Sequence, residues 1–316
     1  MQISKPNWFE SLKQHIEEND KITVFRHHNP DGDAYGSQWA LVSWIRHHYP
    51  DKEVYAMGLQ NGSLRHLFPP LQDVRNEQVL DSLGIILDTA NAPRIDDRRY
   101  LDCRYTLKID HHPHDDDYAD ESYIDELAPS TSEIVAQWMY WMDPKPLPMY
   151  IAQFLYIGMV MDTLHFTISS VNAQTLKVAG YLLESGFDVA SLDDKMMLMS
   201  KNIFDYITYL RSHCSVDRIG LVYCYVPLDV QEQFHLTTQQ AKEEVNAFKR
   251  LDVAKVWALL VEEDGLYNVS IRSRNHQVNQ VAEKYGGGGH RFACAAHRLS
   301  FEQTTQLLDD LKNVLI

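Results

Sequence analysis

Apolar positions in the first half of the chain alternate between two rhythms. Short runs at Lys21–Phe25, Glu53–Met57, Gly84–Asp88 and Tyr105–Asp110 have the length of buried strands. Between the first two, Ala34–His48 spaces Trp39, Leu41, Val42, Trp44 and Ile45 at helical intervals. Strands alternating with helices predict parallel βαβ units and an open sheet. In such sheets ligands gather outside the carboxyl ends of the strands. Asp31, Asp88 and Asp110 all fall at predicted strand ends, so three separate segments should converge on one edge.

The pattern turns helical after the fourth strand. Ser130-Thr131-Ser132-Glu133 has capping-box spacing and runs into Ile134, Val135, Trp138 and Met139. Pro148–Val160 is apolar on most sides, which predicts a buried helix. Asn172–Glu184 is a further helix, stopped by Gly186. The Met-rich stretch from Asp188 to about Ser212 reads as a helical connector. Strand character returns in one run from Val216 to Val226, then at Val253–Val261 and Leu266–Arg272, which flank the hairpin signal Asp264-Gly265. A short helix at Val278–Tyr285 leads into a glycine loop, and Phe301–Val314 is a last helix. The expected architecture is α/β: a mostly parallel sheet flanked by helices over residues 1–187, a connector over 188–213, and a smaller α/β domain over 214–316.

Composition narrows the function. With 316 residues and 45% hydrophobic content the chain can bury two cores. No apolar run reaches membrane-spanning length, and Met1–Asn19 is polar and aromatic, unlike a signal peptide. Cys103, Cys214, Cys224 and Cys294 are scattered, as expected of reduced thiols in a cytoplasm. The net charge of −15 argues against a grip on long nucleic acid, which needs a broad basic face. It leaves room for a small phosphorylated substrate, because bound divalent ions reverse the sign inside a cleft.

Candidate chemistry sits in clusters. His27-His28-Asn29-Pro30-Asp31-Gly32-Asp33 places two carboxylates on a tight Pro-Asp-Gly turn, and Gly36-Ser37 follow where helix N–H groups favour anions. Asp110-His111-His112 ends a strand, so one imidazole can ligate while its neighbour faces substrate. The adjoining His114-Asp115-Asp116-Asp117 reads as a solvated acidic turn. Asp88 and Asp162, each before a Thr, are weak singly and gain weight from their order in the chain. Gly286-Gly287-Gly288-Gly289-His290 gives up side chains so that backbone can approach a ligand, with Arg272 and Arg274 on the neighbouring predicted strand. Carboxylate and imidazole together suit Mn²⁺-like ions, and a metal pair is the usual device for in-line attack of water on phosphorus.

The joint pattern resembles the DHH phosphoesterases, with the glycine loop similar to the DHH-associated C-terminal domain of one branch. The resemblance covers essentially the whole chain. It implies two divalent ions, most commonly Mn²⁺: His27 and Asp31 on one, Asp33 and His111 on the other, Asp88 and Asp162 bridging both. It implies that His112 faces the scissile phosphate and that Asp110 orients the imidazoles. It also implies that Arg272, Gly286, Gly287, Gly288, Gly289 and His290 hold a substrate phosphate or terminal nucleotide. Asp115, Leu164 and the run Ala293-Cys294-Ala295-Ala296 depart from the family's usual residues without removing a ligand. The compact layout resembles bacterial oligoribonucleases that also remove the 3′-phosphate of pAp. Phosphodiesterases acting on c-di-AMP or pApA share that layout, and a non-catalytic nucleotide sensor on the same scaffold is the rival from another class. The expected partners are short RNA or small phosphorylated nucleotides, with no long nucleic acid and no membrane; a homodimer is left open.

Overall fold

A computed structural model describes residues 7–114 and 116–316; Met1–Pro6 and Asp115, including that part of the expected acidic turn, lie outside the described residues. The chain packs into two compact units, the first ending at Met197 and the second running Leu198–Ile316. Among the described residues no helix is long and apolar enough to cross a membrane.

The first unit opens with α1 (Trp8–Glu18), which buries Phe9, Leu12 and Ile16 on one stripe. Then come β1 (Lys21–Phe25), α2 (Gly32–His48), β2 (Glu53–Ala56), the single turn α3 (Asn76–Val79), β3 (Leu83–Leu87), β4 (Tyr105–Asp110) and β5 (Glu121–Ile124). The five strands form one sheet in the order β2-β1-β3-β4-β5, every pair parallel. All of β3 and most of β1 and β4 are buried, as strands covered on both faces must be. Four helices complete the unit: α4 (Thr131–Met142), α5 (Met149–Asp162), α6 (Ala173–Leu183) and α7 (Val189–Met197).

The crossing of α2 and α5 decides where the site forms. A Cβ on Gly36 would lie 2.4 Å from the Phe154 carbonyl oxygen of α5, and one on Gly158 of α5 would lie 2.8 Å from Asp33 Oδ1 of α2 and 2.0 Å from Ser132 Oγ of α4. Only glycine lets these helices approach so closely. Gly36 is therefore a packing residue in the second turn of α2, and the anion-binding role expected of Gly36-Ser37 gives way to a helix contact; the Ser37 hydroxyl donates to the Asp33 carbonyl. The same approach sets the N-terminus of α2 beside the C-terminus of α5.

The second unit contains α8 (Lys201–His213), β6 (Ser215–Val216), β7 (Leu221–Val226), α9 (Leu228–Gln233), α10 (Thr238–Glu243), β8 (Val256–Glu263), β9 (Leu266–Ser273), α11 (Asn279–Lys284), β10 (Gly288–His290), β11 (Ala293–Leu299) and α12 (Phe301–Leu315). Its sheet runs β10-β11-β9-β8-β7-β6, antiparallel except for β7–β8. The single strand expected over Val216–Val226 is broken, because Asp217 Oδ1 accepts the amides of Ile219, Gly220 and Leu221 and turns the chain back. The stretch after Asp188 is two helices separated at Leu198-Met199-Ser200, not one.

The expected glycine loop is in part a strand. Gly288–His290 pairs with Ala293–Ala295, and a Cβ on Gly287 would lie 2.0 Å from the Ala295 carbonyl oxygen. The register aligns Arg272, Ala293 and His290 across three strands, so their side chains leave the same sheet face. Cys294 and Ala296 leave the opposite face and join the core that includes Ile271, Val281 and Leu307.

Candidate metal centre

The carboxyl ends of β1, β3 and β4 carry the chemistry. Arg26, fully buried, anchors the end of β1: it donates to Asp96 at 2.8 Å, Gln38 at 3.0 Å and the Leu59 carbonyl at 2.7 Å. His27 follows. Asn29 then takes φ +52°, and Asp31 caps α2 by accepting the amides of Asp33 and Ala34. Asp88, one residue past β3, also holds a left-handed backbone at φ +52°. Its two oxygens face different imidazoles: Oδ2 lies 3.4 Å from His27 Nε2 and Oδ1 lies 3.5 Å from His111 Nε2. Asp31 Oδ1 is 3.8 Å from His27 Nε2, and Asp162 Oδ2, at the end of α5, is 3.2 Å from His111 Nε2.

Asp33 is buried beneath the start of α4, where its oxygens accept the amides of Thr131 at 2.6 Å and Ser132 at 2.8 Å. Three triplets of potential ligand atoms lie in the first unit, each within 4.8 Å mutually: His27, Asp31 and Asp88; Asp33, Asp88 and His111; and Asp88, Asp110 and His112. They share Asp88.

The ring hydrogen bonds separate the histidines by role. His27 Nδ1 meets the His28 carbonyl at 2.8 Å, and His111 Nδ1 meets the Ala128 carbonyl at 3.3 Å. A carbonyl only accepts, so each Nδ1 carries its proton and each Nε2 is the nitrogen with a lone pair to offer a cation. His112 differs: its Nδ1 lies 2.7 Å from Asp110 Oδ1, a carboxylate.

The electrostatics fit a cation site. Burial works against charge on His27, but hydrogen bonds to Asp31 and Asp88 outweigh it and pull the imidazole up to about 10. His111 is raised well above its usual value against the same burial penalty, through Asp162 and Asp88. Burial lifts Asp162 to about 6, helped by Asp31 and Asp88, and lifts Asp33 well above the carboxylate range, helped by Asp88 and Asp162. A pocket that holds positive charge on imidazole so firmly stabilises cations.

All six expected ligands, His27, Asp31, Asp33, Asp88, His111 and Asp162, thus lie in the first unit with Asp110 and His112 beside them. Arg272 and Gly286–His290 lie in the second. Arg272 is largely buried, donates to the Ile271 carbonyl at 2.9 Å, and has its pKa lowered by that burial, with Cys294 acting in the opposite direction. Arg274 is committed to the carbonyls of Ala254, Lys249 and Leu251, which removes it as a phosphate partner. Asp116, expected in a solvated turn, accepts the Ala92 amide at 2.9 Å. Sequence reasoning missed Thr131, whose hydroxyl reaches Asp88 Oδ1 at 3.2 Å, and Lys108, a cation in a buried strand. A lysine inside an apolar run was the available signal for the second.

A family model described as "DHH family, N-terminal domain" matches residues 21–159, and one described as "DHHA1 domain" matches residues 219–316. A probable bifunctional oligoribonuclease and PAP phosphatase NrnA of Streptococcus mutans is 35% identical over 308 residues, covering 97% of this chain and 99% of the relative. The chain belongs to the DHH family. The bifunctional oligoribonuclease and PAP phosphatase NrnA of Bacillus subtilis is 33% identical over 299 residues, covering 93% of this DHH chain and 95% of its own. Among solved structures, an exopolyphosphatase-related protein from Bacteroides fragilis superposes with a TM-score of 0.87, covering 100% of this chain and 99% of that one at 23% identity, a likeness of fold.

Proposed function

We propose that this DHH-family chain is a cytoplasmic phosphoesterase that hydrolyses short oligoribonucleotides and removes the 3′-phosphate of pAp, using two divalent ions, most commonly Mn²⁺. The observation that carries the reading is Asp88, set between His27 and His111 with one oxygen toward each. A carboxylate so placed suits a shared ligand, with His27 and Asp31 on one side and Asp33 and His111 on the other; Asp162 is the second shared carboxylate. Two ions held there supply the Lewis acidity that phosphate-ester hydrolysis needs. The choice of substrate rests on the names of the two relatives that span nearly the whole chain.

The side chains then divide the work. His27 and His111 are pre-oriented by their backbone carbonyls, so they need no reorganisation to ligate. The amides of Thr131 and Ser132 fix the rotation of Asp33. Asp110 holds Nδ1 of His112, and Nε2 is the atom assigned to meet a phosphoryl oxygen and stabilise its growing charge. In residues 214–316, Arg272 and His290 leave one sheet face with only Ala293 between them, so a phosphate or terminal nucleotide can lie over the small side chain. Residues 1–187 carry the catalytic role; of the connector expected over 188–213, α7 packs into the first core and α8 into the second, which leaves Leu198-Met199-Ser200 as the connection.

The deciding experiment is a panel with added Mn²⁺: pAp, ribodinucleotides, pApA, c-di-AMP and longer RNA. Turnover of pAp and dinucleotides, falling with RNA length, is expected. Preference for c-di-AMP would move the chain to cyclic-dinucleotide turnover, and binding without turnover would make it a sensor.

A further inference from the structure

Lys108 is fully buried on a strand whose neighbours are apolar. Burying an ammonium is costly unless its environment repays it, so a lysine here needs a function that Leu or Met could not supply. Its Nζ donates to the Ala90 carbonyl at 2.8 Å and sits 4.9 Å above the ring of Tyr118. The Tyr118 hydroxyl in turn donates to the Thr89 carbonyl at 2.6 Å. These contacts pin the ammonium on one spot. From there it lies 3.4 Å from Asp110 Oδ2.

Asp110 joins this lysine to the histidines. Its Oδ1 accepts three donors: the amides of His111 at 2.9 Å and His112 at 3.2 Å, and His112 Nδ1 at 2.7 Å. Its Oδ2 is buried, makes no hydrogen bond, and has the Lys108 ammonium as its cationic neighbour. The ammonium therefore sets which way the carboxylate plane faces, and that plane sets the direction of the bond to His112 Nδ1.

We propose that Lys108 is a positioning residue for the hydrolysis, acting through Asp110 to fix the imidazole of His112 toward substrate. The inference rests on the reading of His112 as the ring that meets phosphate. Without the ammonium, Oδ2 is a buried charge with no counter-ion. The carboxylate is then free to turn, and the ring loses its fixed orientation while the ligands His27, Asp31, Asp88 and Asp162 stay in place.

A double-mutant cycle tests this, with kcat and KM for a ribodinucleotide measured at saturating Mn²⁺, and ion content and Tm measured on the same samples. His112→Ala alone should lower kcat by roughly 10²–10³-fold, the scale of an oxyanion-stabilising donor. Lys108→Met should lower kcat by about 10- to 100-fold, the range for residues that orient active-site groups, with KM and ion content close to wild type. In the His112→Ala background the same Lys108→Met change should alter kcat by less than about twofold, because its route has been removed. Equal losses in both backgrounds would overturn the proposal and make Lys108 a support of the fold at large; so would wild-type kcat in Lys108→Met. Wild-type kcat in His112→Ala would instead remove the reading beneath it. If the Met variant does not fold, Lys108→Gln keeps a donor for Ala90 without the charge and takes its place in the cycle, with the same outcomes deciding.

Discussion

Glu133 offers a test of how the fold around the centre is held. It lies in the first turn of α4, only 2% exposed. The capping box expected at Ser130–Glu133 is half made: Ser130 Oγ accepts the Glu133 amide at 3.1 Å, but the glutamate side chain does not return. Instead Oε1 accepts from Gln137 at 3.2 Å, and Oε2 is buried without a hydrogen bond. Burial, with Asp125 adding, pushes the carboxyl from 4.5 to about 7, against the opposing influence of nearby Thr175 and Gln137. The folded state thus binds a proton that the unfolded chain releases above pH 4.5. Stability from this group is fully present below 4.5, falls as pH rises toward 7 and is lost above it. The difference between 4.5 and about 7, at 1.36 kcal/mol per tenfold change in proton affinity, gives a penalty of about 3 kcal/mol at pH 8.5. Glu133→Gln, close in shape to the protonated acid, should recover about that much at pH 8.5 and almost nothing at pH 4.5. Urea unfolding of the metal-free protein measures both. Trp8, Trp39, Trp44, Trp138 and Trp141, five of the six tryptophans, report on the first unit. With a slope of roughly 2 kcal/mol per molar, the midpoint should rise by about 1.5 M at pH 8.5. A gain independent of pH, or none, would refute the argument that a buried charge is the cause.

Three further outcomes are expected. Asp88→Asn should reduce bound Mn²⁺ from two ions to one or none by elemental analysis; two ions retained would show that Asp88 is not shared. Gly158→Ala forces a Cβ to 2.0 Å from Ser132 Oγ and 2.8 Å from Asp33 Oδ1, so it should cost about 1–3 kcal/mol and lower ion content, and adding Ser132→Gly should return part of both. Arg272→Ala should lower kcat/KM by about 10- to 150-fold for a ribodinucleotide, the loss of one hydrogen bond to a charged group, with little effect on a small chromogenic diester; equal losses on both would assign it to the fold.

Much of the centre was legible because buried parallel strands announce themselves. β3 is a continuous apolar run and β1 and β4 are mostly apolar and buried, and a polar residue at or just past the end of each is what the sheet delivers to its working edge. β5 escaped notice because Glu121-Ser122-Tyr123-Ile124 is short and half polar, as an edge strand can be. β10 escaped because four glycines carry no pattern, and its identity lies in the partner strand. The break at Asp217 depends on one side chain accepting three amides, which alternation does not encode. Lys108 and Gly158 were visible as oddities in apolar segments, but their meaning is tertiary: one needs Ala90 on another segment besides its near neighbour Asp110, the other Ser132 and Asp33.

All six expected ligands lie between His27 and Asp162, within the unit that ends at Met197. That has a consequence for biosynthesis. At about 5–20 residues per second, the segment after Met197 takes on the order of ten seconds to emerge from the ribosome. Through that interval the nascent first unit already possesses its crowded carboxylates, with the second unit still to be made. The two imidazoles drawn to high proton affinity are the unit's own counter-charges for that wait. None of the six ligands has to wait for the second unit, so ion loading can precede that unit's synthesis.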